Sequence, residues 1–358
     1  MNHHGGNIYA VARETGRSPG HLVDFSASIN PLGPSRRALR AIISGLRFAA
    51  HYPDPDCTVL REALAGRHAV RPEQVLIGNG SSELIALLPR SLSISCGLVI
   101  GPTFSEYARA IDLHGATVIP LSANRNERYR PPVKEAIEVL RRPSSAIDAV
   151  FLCHPNSPTG QAVDSDDVCA LVEAANRRRA WAIIDETFVE YCEERSVLSR
   201  LAAFSRMIVL RSFTKFYALP GLRIGYAAGH EDVMRRIRGL LPPWSVNTPA
   251  QHAALASLED IPYARRSRSF MERERPRLVQ ALAAIPGVTV YPSAANFLLV
   301  ELPCGSRTGR IIHHLREKGL LVRDCSSVSG IAEGTIRIAV RSAAENQRLV
   351  RALQQAIA

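Results

Sequence analysis

Short apolar runs alternate with amphipathic stretches between residues 75 and 227, and few folds accommodate that pattern. The runs lie at residues 75–77, 98–100, 117–121, 149–152, 181–184, 207–210 and 224–227. Each is too short for a helix and nearly unbroken in Val, Ile, Leu and Ala, as strands covered on both faces are. The intervening segments 84–91, 104–113, 133–141 and 165–178 carry helical periodicity. A βα alternation of this kind predicts the α/β class, with a mostly parallel central sheet flanked by helices. In such sheets the working residues gather at the carboxyl ends of the strands.

The pattern changes on either side. Residues 1–35 read as an arm, turn-like at 4–7 and extended at 24–34, where Pro and Gly close the segment. A helix is expected at 59–69. After residue 230 a helix at 231–241 leads to a Pro-rich linker at 242–249 and a long helical region. Strands at 288–290, 296–302, 321–323 and 335–340, with helices at 307–318 and 343–357, complete a smaller α+β unit. The division expected is therefore 1–50 as arm and part of the small domain, 51–245 as the large domain, and 246–358 as the small domain.

The chain of 358 residues is 46% hydrophobic and carries 44 Lys+Arg against 33 Asp+Glu, a net charge of +11. A basic balance suits anionic metabolites, nucleic acid or a membrane surface. The basic residues are scattered and no nucleic-acid motif is present, so no nucleic-acid partner is expected. No apolar run is long enough to span a membrane, and the start of the chain lacks a signal-peptide core. Seven cysteines lie far apart without a C-x-x-C pair, which fits reduced thiols and a cytoplasmic location rather than disulfides or a metal site.

One stretch concentrates reactive groups: Ser212-Phe213-Thr214-Lys215-Phe216-Tyr217, then a Pro-Gly turn and Arg223. A lysine among aromatics is desolvated, which lowers its pKa and frees its lone pair for a carbonyl. Two hydroxyls and a forked cation suit a phosphate dianion. An ordinary loop with a surface lysine is the alternative. Gly78-Asn79-Gly80-Ser81-Ser82-Glu83 sits between a strand and a helix, and is either a phosphate-binding helix start or a Ser-capped tight turn. Tyr107 is either a face for an aromatic ring or a core residue. The turn His154-Pro155-Asn156-Ser157-Pro158 would aim the Asn156 amide at a ligand. Asp185, at a strand end, either caps a helix or holds a pyridine nitrogen protonated.

Taken together and in this order, these residues resemble the fold-type I pyridoxal phosphate (PLP) enzymes, the aspartate aminotransferase-like family. The resemblance spans essentially the whole chain. It implies pyridoxal 5'-phosphate as cofactor and Lys215 as its Schiff-base lysine and proton carrier. It implies Asp185 on the pyridine nitrogen, Asn156 on the phenolic oxygen and Tyr107 against the ring. Gly80, Ser81, Ser82, Ser212, Thr214 and Arg223 would hold the phosphate. Tyr52 matches a tyrosine that reaches a neighbour's cofactor, which implies a homodimer. Arg337 matches the arginine for the substrate carboxylate.

Two subgroups compete, the histidinol-phosphate aminotransferases and the threonine-phosphate decarboxylases that make aminopropanol phosphate for cobalamin. The chain looks closer to the second. The opening His4-Gly5-Gly6-Asn7, the segment from Asp24 to Gly33 with Ser28 and Asn30, and Arg337-Ile338-Ala339-Val340-Arg341-Ser342 are similar to it. The resemblance implies His4, Gly5, Ser28, Asn30, Asn156, Arg323 and Arg337 at a phosphorylated amino acid substrate. Phe188 stands where aminotransferases carry a tyrosine, which tilts the reading away from transamination. A serine-phosphate decarboxylase, differing by one substrate methyl, and a non-catalytic binding protein of the same fold are the further alternatives.

Overall fold

A computed structural model describes residues 5–303 and 307–357. Thirteen strands occur among them, numbered here in chain order: β1 Val23–Asp24, β2 Val75–Gly78, β3 Cys96–Gly101, β4 Thr117–Ser122, β5 Ala149–Cys153, β6 Trp181–Asp185, β7 Met207–Ser212, β8 Gly225–Ala228, β9 Thr289–Val290, β10 Phe297–Glu301, β11 Leu320–Leu321, β12 Arg323–Asp324 and β13 Thr335–Ala339. Every apolar run that predicted a strand between residues 75 and 227 forms one.

Seven strands make the large sheet, in the order β2-β8-β7-β6-β5-β3-β4. Neighbours run parallel except at β8, which is antiparallel to both β2 and β7. The period-2 geometry sorts side chains to opposite faces. Val150 and Leu152 of β5 enter the core on one face with Ala182, Ile184, Met207 and Val209. Phe151 and Cys153 enter the core on the other, with Ile183, Ile208 and Leu210. Helices Ser81–Leu92, Glu106–Leu113, Val133–Arg141 and Ser165–Arg177 cover these faces. That burial on both sides is why the strand sequences are apolar throughout.

A second, antiparallel sheet, β12-β13-β10-β9, packs on helices Ile261–Ala283 and Ala343–Ile357 with a core of its own. The chain start is more ordered than an arm. Asn7 Oδ1 accepts from Ala10 N at 3.0 Å and starts a helix at Ile8–Thr15. Strand β1 pairs in parallel with β11 in a two-stranded sheet of its own, and Phe25 just after it enters the small unit's core. Ser35 caps a further helix, Arg36–Leu46, accepting from Ala38 N at 3.1 Å. Neither helix is part of the expectation above, although both are amphipathic and each starts at a capping residue, Asn7 or Ser35, which was the available signal. No helix among the described residues is long and apolar enough to cross a membrane.

Candidate active site

Strands β5, β6 and β7 end side by side, so Cys153, Asp185 and Ser212 arrive together at one edge of the large sheet. A cavity of about 920 Å³ opens there. Ser81, Ser82, Tyr107, Asp185, Ser212, Thr214, Lys215, Arg223, Arg323 and Arg337 all line it, and so does Gly5.

Lys215 follows β7 in a short loop. Burial lowers its pKa to about 8, and the cations Arg337 and Arg223 push in the same direction. Its amine is therefore far more nucleophilic at neutral pH than a solvated lysine. Asp185 is fully buried at the end of β6. Burial raises its pKa, and hydrogen bonds from Thr187 and Tyr107 hold that rise in check. Thr187 N donates to Oδ1 at 2.9 Å and the Tyr107 hydroxyl to Oδ2 at 2.6 Å. One face of Tyr107 stacks on Phe151, with ring centroids 5.8 Å apart.

An anion cradle brackets Lys215, built from residues on either side of it in the chain and from the turn before the Ser81–Leu92 helix. The Ser212 and Thr214 hydroxyls are 2.8 Å apart. The turn before the Ser81–Leu92 helix presses against Arg223: a Cβ on Gly80, where φ is +79°, would lie 2.5 Å from Arg223 Nη2. A Cβ on Gly225 would lie 2.5 Å from Ser81 N. Only glycine fits either position. Helix N–H groups, two hydroxyls and a guanidinium converge there, a donor set for a phosphate dianion. With an amine for the aldehyde and a carboxylate for the ring nitrogen, the residues present fit pyridoxal phosphate.

Two further arginines of the lining come from the small sheet. Arg323 on β12 and Arg337 on β13 are register partners. Arg337 Nη1 donates to Ser157 Oγ at 2.9 Å and Nη2 to the Ser26 carbonyl at 2.8 Å, while its guanidinium sits 5.2 Å from the Phe297 ring centroid. Ser157 and Ser26, the residues that hold it, are not evident from sequence. Ser157 belongs to the rigid turn that pointed to Asn156, and it is Ser157 that faces the cavity.

Several expected contacts fall elsewhere. Asn156 does not line the cavity: its Nδ2 donates to the Pro102 carbonyl and Thr159 Oγ1, both at 2.8 Å, and its Oδ1 accepts from Thr103 at 2.7 Å. Its amide is spent stapling the turn. Asn30 is likewise a clamp. Its backbone N–H donates to the Lys215 carbonyl at 3.0 Å, and its Nδ2 reaches the Phe216 carbonyl, Tyr263 and Ser267. It holds the lysine loop from behind, out of reach of substrate. Ser28 is buried away from the cavity with its hydroxyl unpartnered, and its carbonyl accepts from Asn296 Nδ2. Tyr52 is 77% exposed, stacked on Trp244 at 4.3 Å, and is no part of this chain's own cavity. His4 lies outside the described residues. Phe188 lines the cavity and packs edge-on against Phe297 at 5.0 Å.

Residues 20–353 match the family described as aminotransferase class I and II, whose enzymes depend on pyridoxal phosphate. The chain is 36% identical over 356 residues to the threonine-phosphate decarboxylase of Salmonella typhimurium, covering 99% of this chain and 96% of the relative. It is 35% identical over 356 residues to the histidinol-phosphate aminotransferase of Roseiflexus castenholzii, covering 97% and 93%. The crystal structure of histidinol-phosphate aminotransferase from Sinorhizobium meliloti, in complex with pyridoxal-5'-phosphate, superposes with a TM-score of 0.88 at 22% identity over 98% of this chain and 94% of that one.

Proposed function

The chain belongs to the aminotransferase class I and II family, and within it we propose a pyridoxal phosphate-dependent decarboxylase that converts L-threonine O-3-phosphate to (R)-1-amino-2-propanol O-2-phosphate and CO2, for corrinoid synthesis. The observation that carries this reading is the arginine pair: Arg323 and Arg337, adjacent in register, face the cavity that Lys215 and Asp185 share. A substrate with two anionic ends, a carboxylate and a phosphate, matches two forked cations.

Bound in the cavity, pyridoxal phosphate would supply an electron-withdrawing ring that takes up charge from the substrate's α-carbon. Asp185 keeps a positive charge on the ring nitrogen through a charge-assisted hydrogen bond. Gly80, Ser81, Ser82, Ser212, Thr214 and Arg223 would hold the cofactor phosphate, and Tyr107 would lie against the ring. Arg323 and Arg337 fix both ends of the substrate, which decides which α-carbon bond is presented for cleavage. Ser157 and Ser26 keep the Arg337 fork from rotating. Lys215 Nζ, its pKa lowered to about 8, would return a proton to the α-carbon from its ammonium form after CO2 leaves. Phe188 offers no hydroxyl toward the cofactor, which removes one hydrogen bond that a tyrosine there would make. The exposed Tyr52–Trp244 pair fits a contact with a second copy in a homodimer.

The relatives include histidinol-phosphate aminotransferases at almost the same identity, so the test is a product panel. Holoenzyme with threonine phosphate should release CO2 and the amino alcohol phosphate without any keto acid. Serine phosphate, one methyl smaller, should react more slowly by roughly 10–200-fold, the usual worth of a methyl group. Amino transfer from histidinol phosphate to 2-oxoglutarate, with no CO2 from threonine phosphate, would reject the proposal.

A further inference from the structure

A second cavity, of about 640 Å³, lies between helix Arg36–Leu46 and the start of helix Ile261–Ala283, and shares no lining residue with the first. Five arginines line it: Arg36, Arg37 and Arg40 from one helix, Arg266 and Arg273 from the other. Asp260 is the single carboxylate in the lining, and its Oδ1 is engaged in capping, accepting from Tyr263 N at 3.0 Å.

Two of the five arginines are neutralised locally. Arg37 pairs with Glu259 at 2.8 Å and Arg273 with Glu274 at 2.9 Å. Arg36, Arg40 and Arg266 form no ion pair among the described residues. Arg36 and Arg40 stand four residues apart, on one face of their helix, where like charges repel. Arg36 and Arg37 also occupy the first helical turn, which contains no acidic residue, so their charge opposes the helix dipole. Arg266, Ser269 and Arg273 recur at helical spacing and present a matching stripe from the other side. Arg36 and Arg40 from one helix and Arg266 from the other thus leave three uncompensated cations around one concave site, which an anion between them would relieve.

We propose that this cavity binds a small polyanion carrying two or more phosphoryl groups. Guanidinium forks from both walls match phosphoryl oxygens bidentately, and a ligand with several charges spans the gap between helices. Phe270, whose ring lies 5.6 Å from the Arg273 guanidinium, and Ser269 form the remaining wall. The floor is Tyr263, whose hydroxyl donates to the Gly33 carbonyl at 2.7 Å and contacts the Phe216 carbonyl beside Lys215.

The test is calorimetric titration of holoenzyme carrying Arg323→Gln/Arg337→Gln, which removes the anion-binding arginines of the first cavity, with inorganic tripolyphosphate and separately with ATP, and the variants below are made in that background. The expected result is saturable binding to a single site per chain. The variant Arg36→Gln/Arg40→Gln/Arg266→Gln should bind about tenfold more weakly or worse, since three charge-assisted contacts are lost together. A control of equal charge change, Arg235→Gln/Arg236→Gln/Arg238→Gln, should bind as the parent does. If the first triple variant does not fold, the single reversal Arg266→Glu should show the same loss. Equal affinity for both probes means the phosphoryl groups alone are read, and a preference for ATP means the Phe270 wall reads the nucleoside. No saturable binding, or an equal loss in both triple variants, overturns the proposal.

Discussion

Lys215 shows how one residue's environment sets its chemistry. Only the neutral amine attacks a carbonyl, and burial with two nearby guanidinium groups lowers its pKa from 10.5 to about 8. A lowered pKa in a base means that the reactive form accumulates as pH rises through 8, well before an exposed lysine would respond. The rate at which apoprotein captures pyridoxal phosphate should therefore rise with a midpoint near pH 8, read by absorbance. A midpoint above 10 would mean the site is wet and the cations are distant. Asn30 acts through Lys215 rather than on the ligand. Asn30→Ala removes a side-chain clamp from the Phe216 carbonyl and should lower stability by about 2 kcal/mol, the usual cost of breaking a buried hydrogen-bonded group. Urea midpoints would measure it, and holoenzyme should also lose cofactor faster on dialysis. That Asn30 and Asn156 turned inward could not be read from their types, because a buried amide serves a ligand or a loop equally well.

At the scale of elements, the strands were legible because burial on both faces forces a near-continuous apolar sequence. The residues behind their ends were less so. Arg211 of β7 is fully buried and pairs with Glu186 at 2.9 Å and Glu193 at 2.8 Å. This pair ties the end of β6, bearing Asp185, to the end of β7, bearing Ser212. Arg211→Met leaves Glu186 buried and uncompensated, and should destabilise the fold by about 3–5 kcal/mol, seen as a lowered thermal midpoint. An unchanged midpoint would mean the pair is dispensable. Gly80 is the opposite case, a position where the sequence left two readings open and the backbone resolves the geometry. Gly80→Ala must move Arg223 and adopt a positive φ, so its cost should fall on cofactor affinity more than on the fold. Equilibrium titration with pyridoxal phosphate would separate the two.

For the whole molecule, the N-terminal segment proves the least legible part. Its strand and two helices are short, and its order comes from partners more than three hundred residues away in some cases, such as Arg337 on the Ser26 carbonyl and Arg341 on the Asp24 carbonyl at 3.2 Å. Long-range pairing of this kind leaves no local pattern. It also ties the wall bearing Arg337 to the strap that holds the Lys215 loop. The exposed Tyr52–Trp244 stack predicts that the protein sediments as a species of twice 39.1 kDa, and that Tyr52→Ala weakens cofactor retention in that species; a monomer at micromolar concentration would contradict it. The most direct test of the whole account uses threonine phosphate labelled with ¹³C at its carboxyl carbon, turned over by holoenzyme in D₂O and followed by NMR. The account predicts that all label leaves as CO2 and bicarbonate while the product gains one deuterium on the carbon that lost it. Label retained in a keto acid would contradict it.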